Sequence, residues 1–102
     1  MGIQHNAGKI FDLIFKLYIR KESITPRKIL EITKMPGEDI DRAIKYLKAL
    51  GIIDITLTFG NYKNLQNFVF IGIPPRGINI VEDDKKFFEV FNIGKKSISW
   101  KL

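Results

Sequence analysis

From Gly8 to Lys21 the apolar residues Ile10, Ile14, Leu17 and Tyr18 recur at i, i+4, i+7 and i+8, with Phe11 and Leu13 widening the stripe. This is the period of a helix with one buried face, and Lys16, Arg20 and Lys21 near its end suit the helix dipole. Residues 1–7 precede the stripe and are expected to fray as a tail. A second helix should begin sharply at Thr25-Pro26, because Thr is a good N-cap and Pro, lacking an N–H, fits the first helical position. It carries Ile29, Leu30 and Ile32 and stops at Lys34-Met35-Pro36-Gly37, since a residue before proline is biased away from the α region. Ile40, Ala43, Ile44, Leu47 and Leu50 then make the most regular helical stripe of the chain, with Gly51 where a left-handed C-cap belongs.

The period changes at Ile53. Ile53, Ile55, Leu57 and Phe59 alternate with Asp54, Thr56 and Thr58, which predicts a strand with one buried and one wet face. Gly60-Asn61-Tyr62-Lys63-Asn64 reads as a loop longer than two residues, and Asn67–Ile73 as the returning strand of a hairpin. After Pro74-Pro75-Arg76-Gly77, Ile78, Val81, Phe88 and Phe91 fit one side of a fourth helix, kinked or split where Glu82-Asp83-Asp84-Lys85 interrupts the stripe. Asn92 and Gly94 would close that helix, and Ser97–Leu102 alternates like a short strand.

Charge changes this picture from a fold to a candidate function. The chain of 102 residues carries 17 Lys and Arg against 11 Asp and Glu, a net charge of +6, which favours a polyanionic partner. The basic excess lies at both ends: seven cations against three acids in residues 1–36, three against four in 37–59, and seven against four in 60–102. With no cysteine there is no disulfide framework and no thiolate metal site. No apolar run approaches the roughly 20 residues that span a bilayer, so the expected location is cytoplasmic, with no membrane partner.

Catalysis finds little to work with. His5 is the sole histidine and falls in the expected tail, and neither a Walker A loop nor a GxGxxG fingerprint is present. Glu82-Asp83-Asp84 on an exposed helix reads as a solvated charge run. No enzyme activity, cofactor or metal site is expected.

The order helix, helix, helix, strand, strand, helix over residues 8–91 resembles the winged helix-turn-helix superfamily. The stretch that carries the resemblance is Asp39-Ile40-Asp41-Arg42-Ala43-Ile44-Lys45-Tyr46-Leu47-Lys48-Ala49-Leu50-Gly51-Ile52-Ile53, similar to a recognition helix ending in Leu-x-x-x-Gly-Leu-Ile before the wing. Pro75-Arg76-Gly77-Ile78 is similar to the Thr-Pro-Lys-Gly-Ile that often opens the last helix of small archaeal, bacterial and viral members. The resemblance implies an α+β fold with a three-helix core, a β-hairpin wing and a C-terminal fourth helix. It also implies a DNA-binding transcriptional regulator of prokaryotic or viral type. Residues 8–94 would form the winged-helix domain and 95–102 a tail or strand.

In such a fold the second helix of the turn faces the major groove while the preceding helix start and the wing grip phosphates. Carried onto this sequence, Thr25, Arg27, Lys28 and Lys63 would hold phosphates, Arg42 and Lys45 would approach bases, and Asn61 would add a donor on the wing. Helical spacing also allows Glu38–Arg42 and Asp41–Lys45 pairs on the same outer face, so an ordinary solvated face competes with base readout there. Glu38, Asp39 and Asp41 at the start of that helix motivate a rival function, a protein-interaction module docking on a basic partner. Phe87, Phe88, Phe91, Ile98 and Trp100 concentrate apolar area near the C-terminus, from which a homodimer interface is expected. Any small-molecule effector is left undefined.

Overall fold

The computed structural model describes residues 2–102, and Met1, the first residue of the expected tail, lies outside them. The described residues form an α+β arrangement of five α-helices, a 3₁₀ turn and one two-stranded antiparallel sheet, an order compatible with a winged-helix layout. Helix α1 (Ile3–Ile19) packs against α2 (Pro26–Thr33), α3 (Gly37–Ala49), α4 (Pro75–Val81) and α5 (Asp84–Phe91). Its buried face is Ala7, Ile10, Phe11, Leu13, Ile14 and Leu17, each without exposed surface. The charge inside this face, Asp12, has its Oδ2 2.8 Å from the Lys16 ammonium, while its Oδ1 is buried without a hydrogen-bond partner.

Helix α1 begins five residues before the expected Gly8. Gln4 Nε2 donates to the Val90 carbonyl at 2.8 Å, and His5 Nε2 donates to the Asn92 carbonyl at 2.8 Å. Residues 3–7 are therefore tied to the end of α5 rather than frayed, through partners more than 80 positions away that no local pattern reveals.

Thr25 caps α2 as expected, its Oγ1 accepting the Lys28 N–H at 3.1 Å. Lys34, in the left-handed region at φ 55°, closes α2 by donating its N–H to the Leu30 carbonyl. Ile40, Ala43, Ile44 and Leu47 of α3 point inward, and Gly51 follows with φ +72°.

The strands are β1 (Asp54–Tyr62) and β2 (Leu65–Gly72). Because β1 runs through Tyr62, the hairpin loop is only Lys63-Asn64, both with positive φ (53° and 67°). This is the two-residue turn whose twist matches the strands, and not the longer loop expected. The alternation of β1 is buried only at its start: Ile53 and Ile55 lie in the core, whereas Leu57 is 37% and Phe59 fully exposed. Beyond Ile55 the apolar β1 side chains are uncovered, while β2 keeps the hairpin against α2 and α3 through the buried Leu65 and Phe68.

The expected fourth helix is split. Asp83 Oδ1 accepts the N–H groups of Lys85 and Lys86 at 3.0 and 3.1 Å and starts α5 anew, and Asn92 at φ 54° ends it. The acidic run is thus a cap, plus a 3.8 Å pairing of Asp84 with Lys96. The C-terminal segment makes a 3₁₀ turn at Lys95–Ser97 and no strand. Alternation alone cannot supply a pairing edge, and Ile98 instead inserts into the core.

Phe87 and Phe91 have no exposed surface and pack with Phe11, the rings of Phe91 and Phe11 lying 5.8 Å apart and those of Phe87 and Phe91 4.8 Å. Ile98 is buried and Trp100 half-buried. Of the five residues from which a dimer was expected, Phe88 alone is exposed; the others pack on their own chain.

Candidate nucleic-acid interface

The hairpin turn closes on the starts of α2 and α3. Gly37 opens α3 directly under Lys63, and Asn64 Nδ2 donates to Glu38 Oε2 at 3.3 Å. Further along β2, the Gln66 N–H donates to Asp41 Oδ1 at 3.0 Å. The Arg27 guanidinium lies 5.0 Å, and the Lys63 ammonium 5.4 Å, from the centre of the Tyr62 ring, both within cation–π range. The start of α2 and the hairpin tip are thereby joined through one aromatic ring.

Beside this junction is a depression of about 350 Å³ lined by Arg27, Lys34, Lys63, Tyr62 and the Pro36-Gly37 turn, with Glu31 its one carboxylate. Three cationic residues line it beside Gly37, the first residue of α3. The arrangement suits an anion such as a phosphate. Sequence reasoning named Arg27 and Lys63 but missed Lys34, whose position follows from its left-handed cap at the end of α2. That cap is not visible in a Lys-Met-Pro string.

The other phosphate candidates are placed differently. Thr25 is exposed at the start of α2 and its oxygen is engaged as the cap. The Lys28 ammonium is held 2.8 Å from Glu22 Oε1, while Arg20 lies 2.6 Å from Glu22 Oε2. The hydrogen bond from Lys28, and then that from Arg20, hold the Glu22 carboxyl below its ordinary value of 4.5.

On the outer face of α3, Arg42 pairs with Asp39 at 3.2 Å rather than with Glu38, because Glu38 is turned toward Asn64. The expected pairing of Lys45 with Asp41 is present at 2.9 Å. Arg42 and Lys45 are exposed. Lys45 shares a second depression with Phe59, Asn61 and Asn64, whereas Arg42 lines neither. The three acids at the start of α3 are each engaged within the chain.

Among the described residues no helix is long and apolar enough to cross a membrane. Comparison of the chain with models of known families, with curated proteins and with solved structures gave no match.

Proposed function

We propose that this chain is a winged-helix protein that binds double-stranded DNA and acts as a transcriptional regulator. The hairpin is the wing and α3 the helix presented to the major groove. The observation that carries the reading is the depression lined by Arg27, Lys34 and Lys63 at the junction of α2, α3 and the hairpin, with Arg27 and Lys63 both on the Tyr62 ring, on a chain of net charge +6. In this reading the cluster holds the phosphate backbone and fixes the register, and the exposed Arg42 and Lys45 of α3 approach base edges, with Asn61 on the wing adding a donor. Lys28 and Thr25 supply a second phosphate contact at the start of α2.

The rival reading, a protein-interaction module using the acidic start of α3, has less to support it. Glu38 is engaged by Asn64 and Asp41 by a hairpin amide, and the Asp39–Arg42 and Asp41–Lys45 pairs would have to open for either partner.

Titration of binding to duplex DNA with salt tests the proposal. Each neutralised phosphate contributes about −0.9 to the slope of log affinity against log salt. Wild type should weaken steeply, and Arg27→Ala should flatten the slope by about one contact without changing sequence preference. Affinity that does not respond to salt would remove the phosphate grip and favour a protein partner.

A further inference from the structure

The second depression, of about 440 Å³, lies between the outer face of α3 and the outer half of β1 and shares no lining residue with the cationic one. Its chemistry is set by an irregularity in the hairpin. Leu57 pairs with Phe68 and Asn61 with Gln66, so Thr58, Phe59 and Gly60 stand opposite Asn67 alone. Such bulges re-aim side chains. Gly60 has φ +89°, a conformation open to glycine and costly for most other residues. The result is that Phe59, which regular alternation would place with Ile55, projects fully into solvent.

A lone exposed phenylalanine is ordinary, but this one stands at the rim of a polar hollow. Thr58 Oγ1 is buried there with no hydrogen-bond partner, and the Asn61 amide has none among the described residues. Gln66, which also lines the hollow, uses its Nε2 on the Thr58 carbonyl and keeps its side-chain oxygen as an acceptor. Lys45 supplies a cation, and the one carboxylate of the hollow, Asp41, is already satisfied by Lys45 and the Gln66 N–H. A flat aromatic face, groups that both donate and accept, and an adjacent ammonium are the complement of one nucleobase with its phosphate.

We propose that this hollow takes an unstacked nucleobase, laid on Phe59 and hydrogen-bonded by Asn61 and Gln66. The proposal rests on nucleic acid being the partner and names what the wing reads: a base that has left its stack, in a kinked duplex or in a single strand.

The test uses the full chain and four probes of one sequence: a paired duplex, the same duplex with one unpaired base, that duplex with an abasic site at the unpaired position, and the single strand. The unpaired base should raise affinity over the paired duplex, and the abasic site, which keeps the distortion but deletes the base, should abolish the gain. Phe59→Ala should lose at least about fivefold in affinity for the unpaired-base probe, Phe59→Tyr should retain it, and Phe59→Leu should fall with the alanine variant. Circular dichroism should show all three folded, because the side chain contributes nothing to the core. Preference between the unpaired-base duplex and the single strand identifies the source of the base, and either preference supports the site. Salt-dependent binding that ignores the base and Phe59 would overturn this site alone. Failure of wild type to bind any probe would overturn the DNA reading and this site with it.

Discussion

A methyl group on Gly37 would overlap the carbonyl oxygen of Lys63 and stand 3.3 Å from the Leu65 amide nitrogen. The first residue of α3 and the hairpin turn therefore meet backbone to backbone, and this contact sets the cationic cluster. Gly37→Ala should push the turn outward at a cost of about 1–3 kcal/mol, the usual range for overpacking. Denaturant unfolding would measure that loss. Because Arg27 and Lys63 would no longer share the Tyr62 ring, duplex affinity should fall as well, in a variant that alters no charge.

Glu22 restrains Lys28. Its carboxyl is held below the ordinary value of 4.5 by the Lys28 and Arg20 hydrogen bonds. A group with a depressed folded-state pKa contributes stability that is present above the unfolded value and lost as pH falls through the folded one. Wild type should lose this contribution below pH 4.5, and Glu22→Gln should lack that part of the acid sensitivity. At neutral pH the same variant frees the Lys28 ammonium and deletes one negative charge, so duplex affinity should rise and its salt slope steepen. Unchanged binding would remove Lys28 from the phosphate grip.

The apolar stripes of α2 and α3 and the Thr25-Pro26 start were legible because caps and periodicity act within one turn of a helix. What escaped reading depends on distant partners. Gln4 and His5 extend α1 only because Val90 and Asn92 present carbonyls to them. Phe59 looked like a core residue because alternation carries no information about the irregular register between Leu57 and Asn61. At the site, charge identified Arg27 and Lys63, but their meeting on Tyr62 depends on the two-residue turn, which Gly60 masked by imitating a loop residue.

Phe87 and Phe88 are neighbours in sequence and opposites in environment, one fully buried and the other 51% exposed. Phe87→Ala should cost about 3–5 kcal/mol, as for other buried aromatic truncations, a large part of the roughly 5–15 kcal/mol that holds a domain of this size. Phe88→Ala should change unfolding by about 0.5 kcal/mol or less. If two copies associate through α5, Phe88→Ala should weaken that association in sedimentation while leaving the unfolding midpoint in place.

Lys63 offers the sharpest separation of fold from function, because its backbone and its side chain have opposite interests. It sits at φ 53° in the hairpin turn, a conformation that costs a residue with a Cβ on the order of 1 kcal/mol and costs glycine little. Lys63→Gly should therefore raise stability, by up to about 1 kcal/mol in thermal unfolding, while keeping the turn closed on Gly37. The same substitution deletes an ammonium that lies 5.4 Å from the Tyr62 ring beside the cationic depression. Duplex affinity should fall for all sequences alike, with the salt slope reduced by about 0.9. Higher stability with weaker, flatter binding is the expected pair of results. If binding is unaffected the side chain touches no phosphate, and if stability falls along with binding, Lys63 serves mainly to hold the hairpin in place.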